Sequence, residues 1–186
     1  GQDPAAPATR QILDDVWRFL GSEGGLWLSA RGRAGTVERE LPFLLRLEGA
    51  PSCYLSGSID ALVEEPDGSL RIVDFKYSIP HRGSADSYRL QLCAYALAVT
   101  RARPGRSVRA ELQFLRGRFD RIDLTPSVEA MARVAAEAPA LAALLHGGGA
   151  ERSPASLGRT PERCQAEGCG FIYRCYPAAG ASRLPA

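Results

Sequence analysis

Lysine is almost missing from this chain: of 23 basic residues, 22 are arginine, and the only lysine is Lys76. A Walker-type phosphate loop needs a Gly-Lys-Ser/Thr of its own, and Lys76 sits in Asp-Phe-Lys-Tyr, so a nucleotide-driven motor is excluded within these 186 residues. Long apolar runs are missing too. The most apolar stretch, Ala130 to Leu145, carries Arg133, Glu137 and Pro139 and falls short of the roughly 18–20 apolar residues a membrane span needs. No membrane association is expected. No basic segment followed by an apolar core opens the chain, and Gly1-Gln2-Asp3-Pro4 reads as a tag remnant, so a cytoplasmic location is the expectation.

Charge of one sign is also in short supply. The net charge of +2 does not argue for nucleic-acid binding by itself. Its distribution is less even, with nine arginines against three acids between Arg82 and Arg121. That segment reads either as a phosphate-facing surface or as a solvated face in an arginine-preferring protein. With 45% hydrophobic and 24% charged residues, one globular domain over residues 1–186 is expected.

The pattern along the chain predicts a mixed α/β fold. Ala8 to Leu20 places Ile12, Val16, Phe19 and Leu20 on one helical face and stops at Gly21. After a loop around Gly24-Gly25, Val37 to Leu47, Cys53 to Glu64 and Leu70 to Lys76 read as a three-strand meander, turned at Gly49-Ala50-Pro51 and Pro66-Asp67-Gly68. Ser87 to Val99 has helical periodicity. Val108 to Leu115 and Arg118 to Leu124 read as two more strands, and Thr125-Pro126 opens a helix from Ser127 to Leu145. Residues 7–125 therefore form the core, 127–145 a C-terminal helix, and 150–186 a Pro-, Ser- and Arg-rich tail that carries cysteines.

The chemistry concentrates on two strands. Residues two apart in a strand share a face, so Asp74 and Lys76 project together while Val73 and Phe75 turn to the core, and the neighbouring strand brings Asp60 alongside. Two carboxylates about 4–6 Å apart repel each other and are most easily kept ionised by a divalent cation, with Mg²⁺ the usual choice. A lysine beside them offsets charge on a phosphate or orients water. The plainer alternative is a surface Asp–Lys pair worth little. It sits poorly with Asp74 inside the run Ile-Val-Asp-Phe, where an unpaired charge would be costly. Gln91 and Tyr95 lie one helical turn apart on the following helix.

In order and spacing, Glu40-Leu41-Pro42-Phe43, Gly57-Ser58-Ile59-Asp60, Asp67-Gly68, Ile72-Val73-Asp74-Phe75-Lys76 and Gln91-Leu92 with Tyr95 resemble the PD-(D/E)XK nuclease superfamily. Within it, the pattern is most similar to the RecB-type nuclease domain of AddAB-like bacterial helicase–nucleases. The resemblance implies a restriction-endonuclease-like core, with a mixed central sheet of about five strands flanked by helices, and Mg²⁺- or Mn²⁺-dependent hydrolysis of DNA, exonuclease favoured over endonuclease. It implies Asp60 and Asp74 as metal ligands with the Phe75 carbonyl, Lys76 as the catalytic lysine, Gln91 and Tyr95 as a supporting motif, and single-stranded DNA or DNA ends and a helicase domain or subunit as partners. Glu40 is expected to pair with an arginine. RecB-type domains usually add a His or Glu ligand from an early helix; this chain has only His81 and His146, leaving Asp14, Asp15 and Glu23 as weak stand-ins. That departure keeps open an inactive member serving as a DNA-binding or scaffolding module.

Cys164, Cys169 and Cys175 fall at spacings of five and six positions in the tail. Relatives in the superfamily hold an iron–sulfur cluster with such a triplet and one upstream thiolate. Here the fourth ligand would be Cys53 or Cys93, both read as core thiols, so the expectation leans against a cluster.

Overall fold

Alternation of apolar side chains over three successive segments, each closed by a turn, builds the first half of a five-stranded sheet. The computed structural model describes residues 6–49, 52–80, 84–146 and 160–166. Strands β1 (Val37–Leu47), β2 (Cys53–Glu64) and β3 (Leu70–Lys76) form an antiparallel meander. Helix α3 (Ser84–Ala102) then carries the chain to β4 (Val108–Phe114), which lies parallel to β3, and β5 (Arg121–Asp123) completes the order β1-β2-β3-β4-β5. The mixed five-strand sheet flanked by helices is the α/β architecture expected. Two helices precede it, α1 (Pro7–Leu20) and α2 (Glu23–Arg33), and α4 (Val128–His146) follows it. The chain divides into two units, Gly1–Leu145 with the sheet and His146–Ala186, in which α5 (Pro161–Ala166) is described.

The boundaries of β1, β2 and β3 are those predicted. Helix α3 begins three residues earlier and ends three later than its periodic stretch, and β5 is only three residues long rather than seven. The loop expected around Gly24-Gly25 is instead helix α2. Ser22 caps it by accepting the Gly25 N–H at 3.3 Å. Glycine at 25 is demanded by the tight corner between α1 and α2, since a Cβ there would stand 2.1 Å from the Phe19 carbonyl oxygen.

Both faces of the central strands are covered. On one, Ile59, Leu62, Ile72, Leu112 and Phe114 pack with Leu92, Tyr95, Ala96 and Val99 of α3. On the other, Ala61, Val63 and Val73 pack with Trp27 and Leu28 of α2 and with Phe75. Strict alternation along β2 would put Ile59 with Ala61 and Val63, yet Ile59 joins Leu62 on the α3 face. The phase slips at Asp60. Opposite it, Glu40 adopts φ +47°, and the β1–β2 ladder that runs from Val37↔Val63 to Leu47↔Cys53 omits this one pair. Kinks of this kind re-aim a side chain at the cost of local pairing. The arginine pairing expected of Glu40 is made by Glu38 instead, with Arg103 at 3.0 Å.

A left-handed conformation at a residue with a Cβ costs roughly 1–2 kcal/mol. Glu40→Gly should therefore melt at or above the parent temperature, and Glu40→Val several degrees below it, in a differential scanning fluorimetry series. Equal melting of both variants would mean that the kink at position 40 carries no strain.

Candidate active site

The pleat of β3 sends Ile72, Asp74 and Lys76 toward α3, and Val73 and Phe75 toward α1 and α2, where the Phe75 and Phe19 rings meet edge to face at 6.2 Å. The α3 side is therefore core as well. Asp74 is only 1% exposed, a carboxyl group enclosed within the sheet's core. Burial raises its pKa above the ordinary value, Lys76 pulls it back down, and the charge on Asp60 raises it again. Lys76 Nζ lies 2.6 Å from Asp74 Oδ2. That close ion pair is what draws the buried carboxyl back toward its charged form.

Asp60 reaches the same place from β2. Pairing between β2 and β3 runs from Glu64↔Leu70 to Ala61↔Val73 and stops there. One step further, where the strands would otherwise exchange backbone bonds, the Phe75 N–H donates to Asp60 Oδ2 at 2.8 Å. A strand residue directs its N–H and C=O to the same edge, so the Phe75 carbonyl points into the gap that opens between the two strands. Asp60 and Asp74 thus come together where the sheet parts, beside the Phe75 backbone.

Helix α3 closes the site with one stripe. Lys76 Nζ donates to Gln91 Oε1 at 3.4 Å, and Gln91 Nε2 donates to the Tyr95 hydroxyl at 2.8 Å. Since the Tyr95 oxygen accepts, its own proton is free to be donated elsewhere. Burial raises the Tyr95 pKa, the Gln91 bond opposes this, and the charges of Asp74 and Asp60 add to the rise, so the phenol stays protonated at neutral pH. Tyr88, one turn before Gln91, places its ring 4.3 Å from Lys76 Nζ. Tyr88 was missed in the sequence, although its spacing of three from Gln91 and seven from Tyr95 is the available signal. Gly57 gives room for this packing: a Cβ there would stand 2.9 Å from the Phe43 ring, which meets Tyr95 edge to face.

The residues present fit a divalent cation. A buried carboxylate, met at Oδ2 by the Lys76 ammonium, and the charge of a second carboxylate beside it form a hard oxygen donor pair, the kind Mg²⁺ takes together with water and phosphate oxygens. Among the described residues no three His, Cys, Asp or Glu side chains group into a larger site. Of the tail cysteines, Cys164 is buried on α5, while Cys169 and Cys175 lie outside the described residues. Cys53 and Cys93 carry free thiols, and burial raises the Cys93 pKa above its ordinary value.

The early-helix acid is engaged elsewhere. Asp15 on α1, 3% exposed, accepts from the Tyr77 hydroxyl at 3.0 Å and pairs with Arg18 at 3.4 Å and Arg116 at 3.5 Å. The arginines between Arg82 and Arg121 do not form one surface. Arg103 and Arg106 lie beyond the start of β4 and pair with Glu38 and Glu64, whereas Arg116 and Arg118 follow its end, on the side where Lys76 leaves β3. His81 and Arg82 lie outside the described residues. No helix among the described residues is long and apolar enough to cross a membrane.

A family model of the PD-(D/E)XK nuclease superfamily matches residues 3–176. No curated protein matches the chain. Among 16 matching solved chains is one described as SSO0001. It aligns with a TM-score of 0.53 at 18% identity, over 94% of this chain and 72% of that one, a likeness of fold.

The raised pKa of Asp74 sets a pH dependence. Stability contributed by its protonated form is fully present below the ordinary value of 3.8 and is lost as pH rises through the higher folded value. Near neutral pH in chelator, Asp74→Asn should melt a few degrees above the parent, a shift that about 1 kcal/mol produces in a chain of this size. The difference should vanish below pH 3.8. A variant that melts below the parent at neutral pH would show that Lys76 more than compensates the buried charge.

Proposed function

Because the chain belongs to the PD-(D/E)XK nuclease superfamily, we propose that it is a divalent-metal-dependent deoxyribonuclease whose centre is Asp60, Asp74 and Lys76. The single observation that carries this reading is the convergence of both carboxylates and the only lysine at the parting of β2 and β3. Members of the superfamily usually use divalent metal ions. Asp60, Asp74 and the Phe75 carbonyl would hold the ion, which when bound neutralises phosphate charge and acidifies water.

The chain's own groups account for the rest. Lys76 brings a compact positive charge to the phosphate as negative charge builds on its oxygens. Gln91 fixes the ammonium through Oε1 and passes its orientation to Tyr95 through Nε2. The Tyr95 hydroxyl, already an acceptor from Gln91, directs its proton toward the carboxylates or an incoming phosphate oxygen. Tyr88 shields one side of the ammonium from water. Arginine would not serve here, since a planar fork cannot sit between Asp74, Gln91 and the Tyr88 ring as a point charge does.

The motif order and spacing support a RecB-type domain working with a helicase domain or subunit on DNA ends in break repair, by exonuclease action on single strands. A binding module without cleavage is the second reading. It is favoured by one observation: Asp15 is committed to Tyr77 and two arginines and does not complete the metal site.

Cleavage of end-labelled single-stranded DNA in Mg²⁺ or Mn²⁺ tests both. The parent should cut, and Asp74→Ala and Lys76→Ala should each lower the rate at least a hundredfold, the scale of losing one charge-stabilising group. A parent that binds the ion and DNA without cutting supports the binding module. Undiminished cutting by Lys76→Ala overturns the site.

A further inference from the structure

A polar cluster outside the centre lies on the opposite face of the sheet, around Asp15 of α1. Tyr77 follows Lys76 in sequence, and the pleat turns it to the α1 side, where its hydroxyl donates to Asp15 at 3.0 Å. Arg116 follows Leu115, whose N–H donates to the Lys76 carbonyl at 2.9 Å. The two residues are thereby tied side by side just past the ends of β3 and β4. The Arg116 guanidinium stands 5.4 Å from the Tyr77 ring centre, and its Nε is 3.5 Å from Asp15.

The charge arrangement exceeds what packing needs. One buried carboxylate faces a phenol and two guanidinium groups, because Arg18 also reaches it at 3.4 Å. A single arginine would balance Asp15, so the cluster keeps a positive surplus. Its outer members are open: Tyr77 is 41% exposed, and the Arg116 side chain is 42% exposed. An aromatic ring and a guanidinium anchored from behind by a buried acid match how unpaired nucleic acid is held, with a base against the ring and a phosphate on the fork. An anchored pair also loses less freedom on binding.

We propose that Tyr77 and Arg116, fixed in place by Asp15, form a subsite that holds the single strand next to the bond cleaved at Lys76. This inference rests on the nuclease reading above and extends it. Asp15 is here a positioning residue, not a metal ligand. The strand would cross the end of the sheet, passing from the α3 face to the α1 face over the ends of β3 and β4.

The test is fluorescence anisotropy of a labelled oligodeoxythymidylate with the full chain in chelator, over a series of salt concentrations. Arg116→Gln should weaken binding about tenfold and lower the slope of log affinity against log salt by about one, the mark of one phosphate contact. Tyr77→Ala should weaken it about tenfold with the slope unchanged, as expected for lost stacking. Tyr77→Phe, which keeps the ring, should retain most of the affinity, and Asp15→Asn should fall between. Arg116 lies at the surface, so its arm decides even where Tyr77→Ala fails to fold. Affinity within twofold of the parent and an unchanged slope for Arg116→Gln overturn the subsite. If that parent cleaves DNA, the nuclease reading stands without it. A parent that neither binds nor cuts overturns both.

Discussion

The site depends on one hydrogen bond, from the Phe75 N–H to the Asp60 carboxylate. In an unbroken sheet that donor would go to a carbonyl of β2. Because a side-chain oxygen takes it instead, the strands separate without stranding a buried N–H, whose loss would cost about 1–3 kcal/mol. The same substitution pins Asp60 next to Asp74, whose buried carboxyl is met by the Lys76 ammonium. The kink at Glu40 and the slip in the phase of β2 fall at the same level of the sheet, where Glu40 stands opposite Asp60. Three irregularities in neighbouring strands thus coincide at Asp60.

What could be read in advance follows from where local pattern is strong. Strands β1 to β3 are separated in sequence by Gly49-Ala50-Pro51 and Pro66-Asp67-Gly68, so the ends that meet those turns were legible. The proximity of Asp60, Asp74 and Lys76 follows from that register. The slip at Asp60 was not legible, because Glu40 at positive φ carries no glycine to announce it. Helix α2 was hidden by Gly24-Gly25, which suggest a loop; tertiary contact at the α1 corner explains Gly25 where propensity does not. The Asp15 cluster joins residues 62 positions apart in one bond and could be seen only in the fold.

The arginine-rich segment shows how linear charge density misleads. Its members reach opposite ends of β4, and several are matched by acids contributed from far along the chain, Glu38, Glu64 and Asp15 among them. Ion pairs at exposed positions contribute little to stability. They do decide where positive charge is left unbalanced. Around Arg116 two guanidinium groups share one carboxylate, whereas Arg118 has Asp120 at 3.7 Å.

Holding the only lysine inside the centre has a chemical corollary. The α-amino group apart, this protein offers one primary amine, and Asp74, Gln91 and Tyr88 enclose it. Acylating reagents and aldehydes, which elsewhere scatter over a lysine-rich surface, meet an ε-amine at this one point. The rate at which a single acyl group is taken up there becomes a clock for how often the enclosure opens.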